Sequence, residues 1–278
     1  MKHAAWTTAI LAGGLVLYGT GAAAAEPPGC GPATLKGTFG YHYKGTLSRN
    51  DALDHLAAVG LVTFSGTGTL SGNDTQSLNG KIERRRYQGT YTVNRDCTGR
   101  ATFATAPTAT NVDFVVLDDA NELQFTLADE GTSTLGIAKR QALTEPCHVG
   151  RVLGSYGFAL DGYYFFGPLV GYMTLSGIYT TDGKGHVTVA DTVSHNGTME
   201  RRRYGGTYTL DPQCTGVWES TFPDGRTFRA DFLIVGDGIF EGYFIVTEPG
   251  TVLSGADKKI QRPATTTAEG KSVRRATN

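Results

Sequence analysis

The pentapeptide Glu-Arg-Arg-Arg-Tyr occurs twice, at residues 83–87 and 200–204. Both copies lead into runs of Tyr, Thr and Val or Leu, residue types that favour strands. Side chains alternate faces along a strand, so Glu83, Arg85, Tyr87 and Tyr91 share one face, and Glu200, Arg202, Tyr204 and Tyr208 share its counterpart. An arginine fork beside a carboxyl and a phenol can orient a polar ligand group such as a carboxylate. The same three groups could serve acid–base chemistry where burial shifts a pKa. These eight residues form the candidate ligand-binding set, and no catalytic residue is assigned. The structural alternative is an ion pair closing one end of the fold, with Arg84 and Arg86 in solvent. The triple arginine alternates faces, so it is no single basic patch, and the formal net charge is −1. Nucleic acid is therefore not an expected partner.

The elements that position these residues are repeated with them. Residues 80–99 and 197–216 are identical at 13 of 20 positions at an offset of 117. The same offset carries Cys30 to Cys147, Cys97 to Cys214, and 36–41 to 153–158; later matches drift to 118 and 119. Two copies of this length are too few and too long for a solenoid, and each is large enough to bury a core. The sequence therefore reads as a signal peptide at 1–25, a first repeat at 26–142, a second at 143–261 and a disordered polar tail at 262–278. The leader is inferred from Lys2, the apolar stretch Ala9–Tyr18 and the small residues Ala23, Ala24 and Ala25. It implies a periplasmic or secreted protein, and no later segment is apolar enough to be a transmembrane helix.

The fold class is all-β: two tandem antiparallel barrels of about eight strands each, with a two-layer sandwich as the alternative. Copy one places strands near 35–44, 56–64, 67–73, 79–93, 98–105, 111–118, 121–128 and 133–141. Asp51–Val59 is the one short helix-like stretch. Phe39, Tyr41, Tyr43, Tyr87, Tyr91 and Val93 are expected to face inward. In an exported chain four cysteines imply two disulfides, and the repeat selects Cys30–Cys97 and Cys147–Cys214.

No cofactor or metal is expected. The histidines do not recur between copies, there is no phosphate loop, and Gly66-Thr-Gly68 sits in a hairpin. The run Gly162-Tyr-Tyr-Phe-Phe-Gly167, present only in copy two, reads as core, as a ligand entrance or as a contact between the domains.

Gly-Thr-Tyr-Thr-Val-Asn-x-Asp-Cys-Thr-Gly at 89–99, Gly-Thr-Phe-Gly-Tyr at 37–41 and Gly-x-Ala-Lys-Arg at 136–140 together resemble a group of uncharacterised exported bacterial proteins. Their barrel looks like that of allene oxide cyclase, a relative in shape of the lipocalins. The resemblance implies a barrel that encloses an apolar molecule, and it carries no functional residue onto this chain. Three functions follow as expectations. The first is binding of an apolar or amphipathic small molecule in barrel cavities; the second is a cofactor-free isomerase or cyclase. The third is a structural or surface-interaction protein with solid barrels.

Overall fold

The computed structural model describes residues 29–49, 52–105, 108–166, 169–236 and 241–260. The expected signal peptide and tail lie outside the described residues. Copy one folds as β1 (Lys36–Arg49), β2 (Ala52–Ser65), β3 (Thr69–Leu78), β4 (Lys81–Val93), β5 (Thr98–Thr105), β6 (Thr108–Leu117), β7 (Glu122–Leu127) and β8 (Thr132–Arg140). Copy two gives β9 (Gly154–Phe166), β10 (Leu169–Thr181), β11 (His186–His195), β12 (Thr198–Leu210), β13 (Thr215–Thr221), β14 (Thr227–Val235), β15 (Glu241–Val246) and β16 (Thr251–Lys259). Each copy is an antiparallel meander that closes on itself, β1 pairing with β8 and β9 with β16. Closure removes every sheet edge, so neither barrel offers a strand to another chain.

Alternation sets the two faces as the sequence implies. Phe39, Tyr41, Tyr43, Tyr87, Tyr91 and Val93 are buried in barrel one's core. Asn79-Gly80 and Asn196-Gly197 form the two-residue turns before β4 and β12. All four residues have positive φ, the requirement of the hairpin turn that matches strand twist. These turns fix the register that sets Asp74 opposite Arg85 and Asp191 opposite Arg202.

One end of each barrel is latched. The disulfides are Cys30–Cys97 and Cys147–Cys214, with Cα–Cα distances of 5.0 and 5.1 Å. Each ties the segment ahead of the first strand to the turn after the long ERRRY strand. By closing loops of 67 residues, each stabilises its barrel by roughly 4 kcal/mol on the chain-entropy model.

The helix-like reading of 51–59 is corrected: Ala52–Ser65 is a strand. Its inward residues Leu56, Ala58 and Val62 fill barrel one, while its outward residues Ala57, Val59 and Leu61 are buried against barrel two. A strand covered on both faces loses the apolar–polar alternation that marks a strand in sequence.

The barrels pack side by side. Ala57, Val59 and Leu61 meet Leu233, Val235, Tyr243, Ile245 and Val252 on the outer faces of β14–β16, with Tyr163 and Phe165 at the margin. The aromatic run of copy two thus serves the contact between domains. His42 lies on Tyr243 and His55 on Tyr163, with ring centroids 4.4 and 3.7 Å apart. The Gly236 amide donates to the Arg140 carbonyl near the latched ends, and the Gly250 amide to the Gly80 carbonyl at the opposite ends, both at 2.9 Å. The two barrels therefore point the same way.

Candidate functional sites inside and between the barrels

Opposite its latched end, barrel one holds a buried ion pair. Asp74 on β3 accepts from Arg85 Nε at 2.9 Å and from Arg85 Nη2 at 2.6 Å. Tyr41 donates to the same carboxylate at 2.9 Å, and Tyr87 donates to Tyr41 at 3.0 Å. Gln76 Nε2 and Arg85 Nη2 lie 3.2 and 3.4 Å from the Tyr43 hydroxyl. The Asp74 side chain is 1% exposed and that of Arg85 16%. A buried charge pair is tolerated only where hydrogen bonds satisfy it this fully.

Burial and hydrogen bonds set the charge states of Arg85 and of the three phenols. Burial alone pulls the Arg85 guanidinium down, but its hydrogen bonds to Asp74 hold it above its usual range. Burial, then the Asp74 charge, pushes the Tyr41 and Tyr87 phenols up. Burial also raises Tyr43. None of these phenols ionises near neutral pH. Both Asp74 oxygens accept hydrogen bonds, Oδ1 from Arg85 and Oδ2 from Arg85 and Tyr41.

Barrel two repeats the pair with fewer members. Asp191 accepts from Arg202 Nε at 2.9 Å and Nη2 at 2.6 Å, and Tyr204 donates to it at 3.0 Å. Phe158 and Leu160 stand where barrel one has Tyr41 and Tyr43. A second polar pair appears deeper inside: Tyr179 donates to Asp257. Asp257 Oδ1 lies beside the Gly242 backbone but has no well-formed hydrogen bond among the described residues, and burial pushes its carboxyl up to about 7. The equivalent residues in barrel one are Val62 and Ala138.

The sequence-nominated residues divide accordingly. Arg85, Tyr87, Arg202 and Tyr204 join the buried clusters. Glu83 and Glu200 are exposed at the strand starts and form no ion pair among the described residues. Tyr91 and Tyr208 are latches at the other end. The Tyr91 hydroxyl lies 2.8 Å from both the Pro32 and Leu35 carbonyls, and Tyr208 donates to Val149 at 2.9 Å. Arg84, expected in solvent, reaches across the seam to both oxygens of Asp231 at 2.9 and 3.1 Å, where Thr75 also donates at 2.7 Å. The sequence reading missed Asp74 and Asp191. Their signal was the Asp-Thr dipeptide at 74–75 and 191–192, at the same offset of 117.

The interiors are close to filled. The space left for the centres of water-sized molecules is about 60 Å³ in barrel one and about 30 Å³ in barrel two. Rings such as Phe103, Phe114 and Phe125, or Trp218, Phe232 and Phe244, occupy the rest. The large spaces lie outside: a wide-open one of about 550 Å³ on the wall of barrel one alone, by Arg100, Asp113 and Leu135, and two between the barrels. By the same measure one is about 820 Å³ and the other about 530 Å³, and both are lined by Asn73, Arg86 and Gln213. Among the described residues no His, Cys, Asp or Glu group is gathered as metal ligands. No described helix is long and apolar enough to cross a membrane.

Fold and sites define a tandem of closed, disulfide-latched meander barrels. No family model matches the chain, and no curated protein matches it. Solved structures do. One is a protein of unknown function from the DUF3598 family of Nostoc punctiforme, 11% identical over 82% of this chain and 98% of its own, with a TM-score of 0.25. Another is the isotype 1 transferrin binding protein B of serogroup B Neisseria meningitidis, 9% identical over 81% of this chain and 76% of its own, with a TM-score of 0.30. Neither is an allene oxide cyclase.

Proposed function

We propose that the chain is an exported binding protein that takes its ligand on the outside, in the groove between two solid barrels. The observation that carries this reading is the contrast in volume. Ligand pockets hold roughly 300–1,000 Å³. The groove reaches that size, whereas the interiors of about 60 and 30 Å³ have room for a few waters at most. An apolar ligand inside a barrel would have to displace several packed rings. The two disulfides suit an oxidising compartment. Together with the leader read at residues 1–25, they support a periplasmic or secreted location.

The test is native mass spectrometry of the mature protein against two libraries, one of fatty acids and other apolar molecules, one of sugars and organic acids. The expected result is that only the polar library yields retained ligands. Stoichiometric capture of a fatty acid that survives blocking of the groove would place the site inside a barrel and overturn the proposal.

A further inference from the structure

Three consecutive arginines in β4 meet three different fates. Arg84 is held by Asp231 across the seam, and Arg85 is held by Asp74 inside barrel one. Arg86 is exposed, lines both halves of the groove, and has no ion pair or hydrogen-bond partner among the described residues. Its register partner on β3 is Asn73, and the next outward residue on β4 is Gln88. Barrel two supplies Gln213 to the same wall, and the linker supplies Gln141. The Asn73 and Gln88 amides also lack partners among the described residues. The half of the groove by Gln141 thus gathers one free guanidinium with the uncharged Asn73, Gln88 and Gln213, while Asp211 and the Arg84-paired Asp231 line the other half and Gln141 Nε2 is already given to the Gln213 and Ile234 carbonyls.

We infer that the half of this groove by Gln141 is a site for an acidic saccharide, whose carboxylate is held by Arg86 and whose hydroxyls meet Asn73, Gln88, Gln213 and the accepting Oε1 of Gln141. The inference rests on the groove being the binding site. A planar guanidinium matches a carboxylate with two parallel hydrogen bonds. Amides suit sugar hydroxyls because each can give and take a hydrogen bond. An extended peptide is disfavoured, since closed barrels leave no edge for strand addition. Arg203, which occupies the place of Arg86 in barrel two, is also exposed but does not line the groove, so it serves as an internal control.

The experiment is a titration of the mature protein with oligogalacturonates of two to four residues and with their methyl esters, followed by amide chemical shifts. Binding is expected to perturb the amides of Asn73, Arg86, Gln88, Gln141 and Gln213, and to weaken as salt is raised. Arg86→Gln is expected to weaken it about tenfold or more, as for loss of a charged hydrogen-bond partner, and Arg203→Gln to leave it unchanged. Equal binding of the methyl esters would remove the anion assignment while leaving the groove as the site. Equal losses from Arg86→Gln and Arg203→Gln would mean general charge attraction and overturn the inference. Absence of any groove shift across the series would overturn it outright, and if fatty acids bound instead, the broader reading would fall with it.

Discussion

β2 and β10 occupy the same place in the two barrels, yet only β2 is covered. Its outward residues Ala57, Val59 and Leu61 are packed against barrel two. At the offset of 117 their counterparts are Thr174, Ser176 and Ile178, all exposed. The opposite wall of the seam shows the same contrast. Tyr243, Ile245 and Val252 are buried there, and barrel one has Gln124, Thr126 and Ser133 in those places, all exposed. The seam joins β1–β3 of one barrel to β14–β16 of the other, so it is a head-to-tail contact. Such contacts can propagate into filaments when each unit carries both halves. Five of the six counterpart positions are polar, Ile178 being the exception, so the two outward-facing halves lack the apolar surface that the seam buries.

Inside, the copies diverge around a shared ion pair, and here the largest effects are expected. Asp74→Ala and Asp191→Ala should each cost about 3–5 kcal/mol, because each leaves a mostly buried guanidinium unpaired. Asp74→Ala should be the worse of the two, since Tyr41 and, through it, Tyr87 also depend on that carboxylate. Urea unfolding of both variants measures the difference, and a larger loss from Asp191→Ala would contradict the ranking.

The buried acid unique to barrel two and the half-buried His42 of the seam respond to pH in opposite directions. Asp257 has its folded pKa raised by burial to about 7, so the folded state holds a proton that the unfolded chain has released. Stability is then fully present below about pH 4 and falls as pH rises towards 7, by at most about 4 kcal/mol. Asp257→Asn should abolish this slope and be more stable than the parent above pH 7. His42 is lowered to about 4, by burial first and then by Lys44, against the opposing pull of Glu241 and Asp161. The unfolded chain takes up that proton first, so stability falls as pH drops from about 6.5 to 4. His42→Phe should flatten that side only. Thermal unfolding from pH 4 to 8 separates the two, and parallel curves for both variants would refute the assignment.

A smaller effect isolates the seam. A Cβ at Gly40 would lie 2.5 Å from side-chain carbons of Leu233 and of Val235, whereas a Cβ at Gly157, its counterpart, meets nothing within 4 Å. Gly40→Ala is expected to cost about 1–3 kcal/mol through overpacking, and Gly157→Ala to stay within about 0.5 kcal/mol. Equal effects would mean that the barrels do not approach this closely in solution.

Alternation alone was enough to orient β1 and β4, because those strands bury one face, and the repeat alone was enough to pair the cysteines. The pattern marks β2 as a strand from 56 to 64 but reads helix-like over 51–59, because a neighbour from the other copy covers its second face, which no local pattern reports. Glu83 was grouped with Arg85 because residues two apart share a face. The partner that binds Arg85 is instead its cross-strand neighbour Asp74, set there by the Asn79-Gly80 turn. Pairing in a sheet depends on register, and register is a property of two strands. The groove, too, exists only once the barrels meet.

The smallest expected effect concerns how the seam acquired its ion pair. In barrel one Asp113 is bound by Arg100 on the neighbouring strand, at 2.7 and 3.1 Å. Asp231 is the counterpart of Asp113, but the position of Arg100 is taken by Val217. Deprived of a local arginine, Asp231 is met by Arg84 from the other barrel. The Arg84 side chain is 64% exposed, so solvent screens the pair and a double-mutant cycle of Arg84→Gln with Asp231→Asn should give about 1 kcal/mol or less. Val217→Arg should restore the local partner, and in that background the cost of Arg84→Gln should shrink towards zero. An unchanged cost would show that Arg84 acts through Thr75 or the packing of its stem, not through the carboxylate that the two copies solve differently.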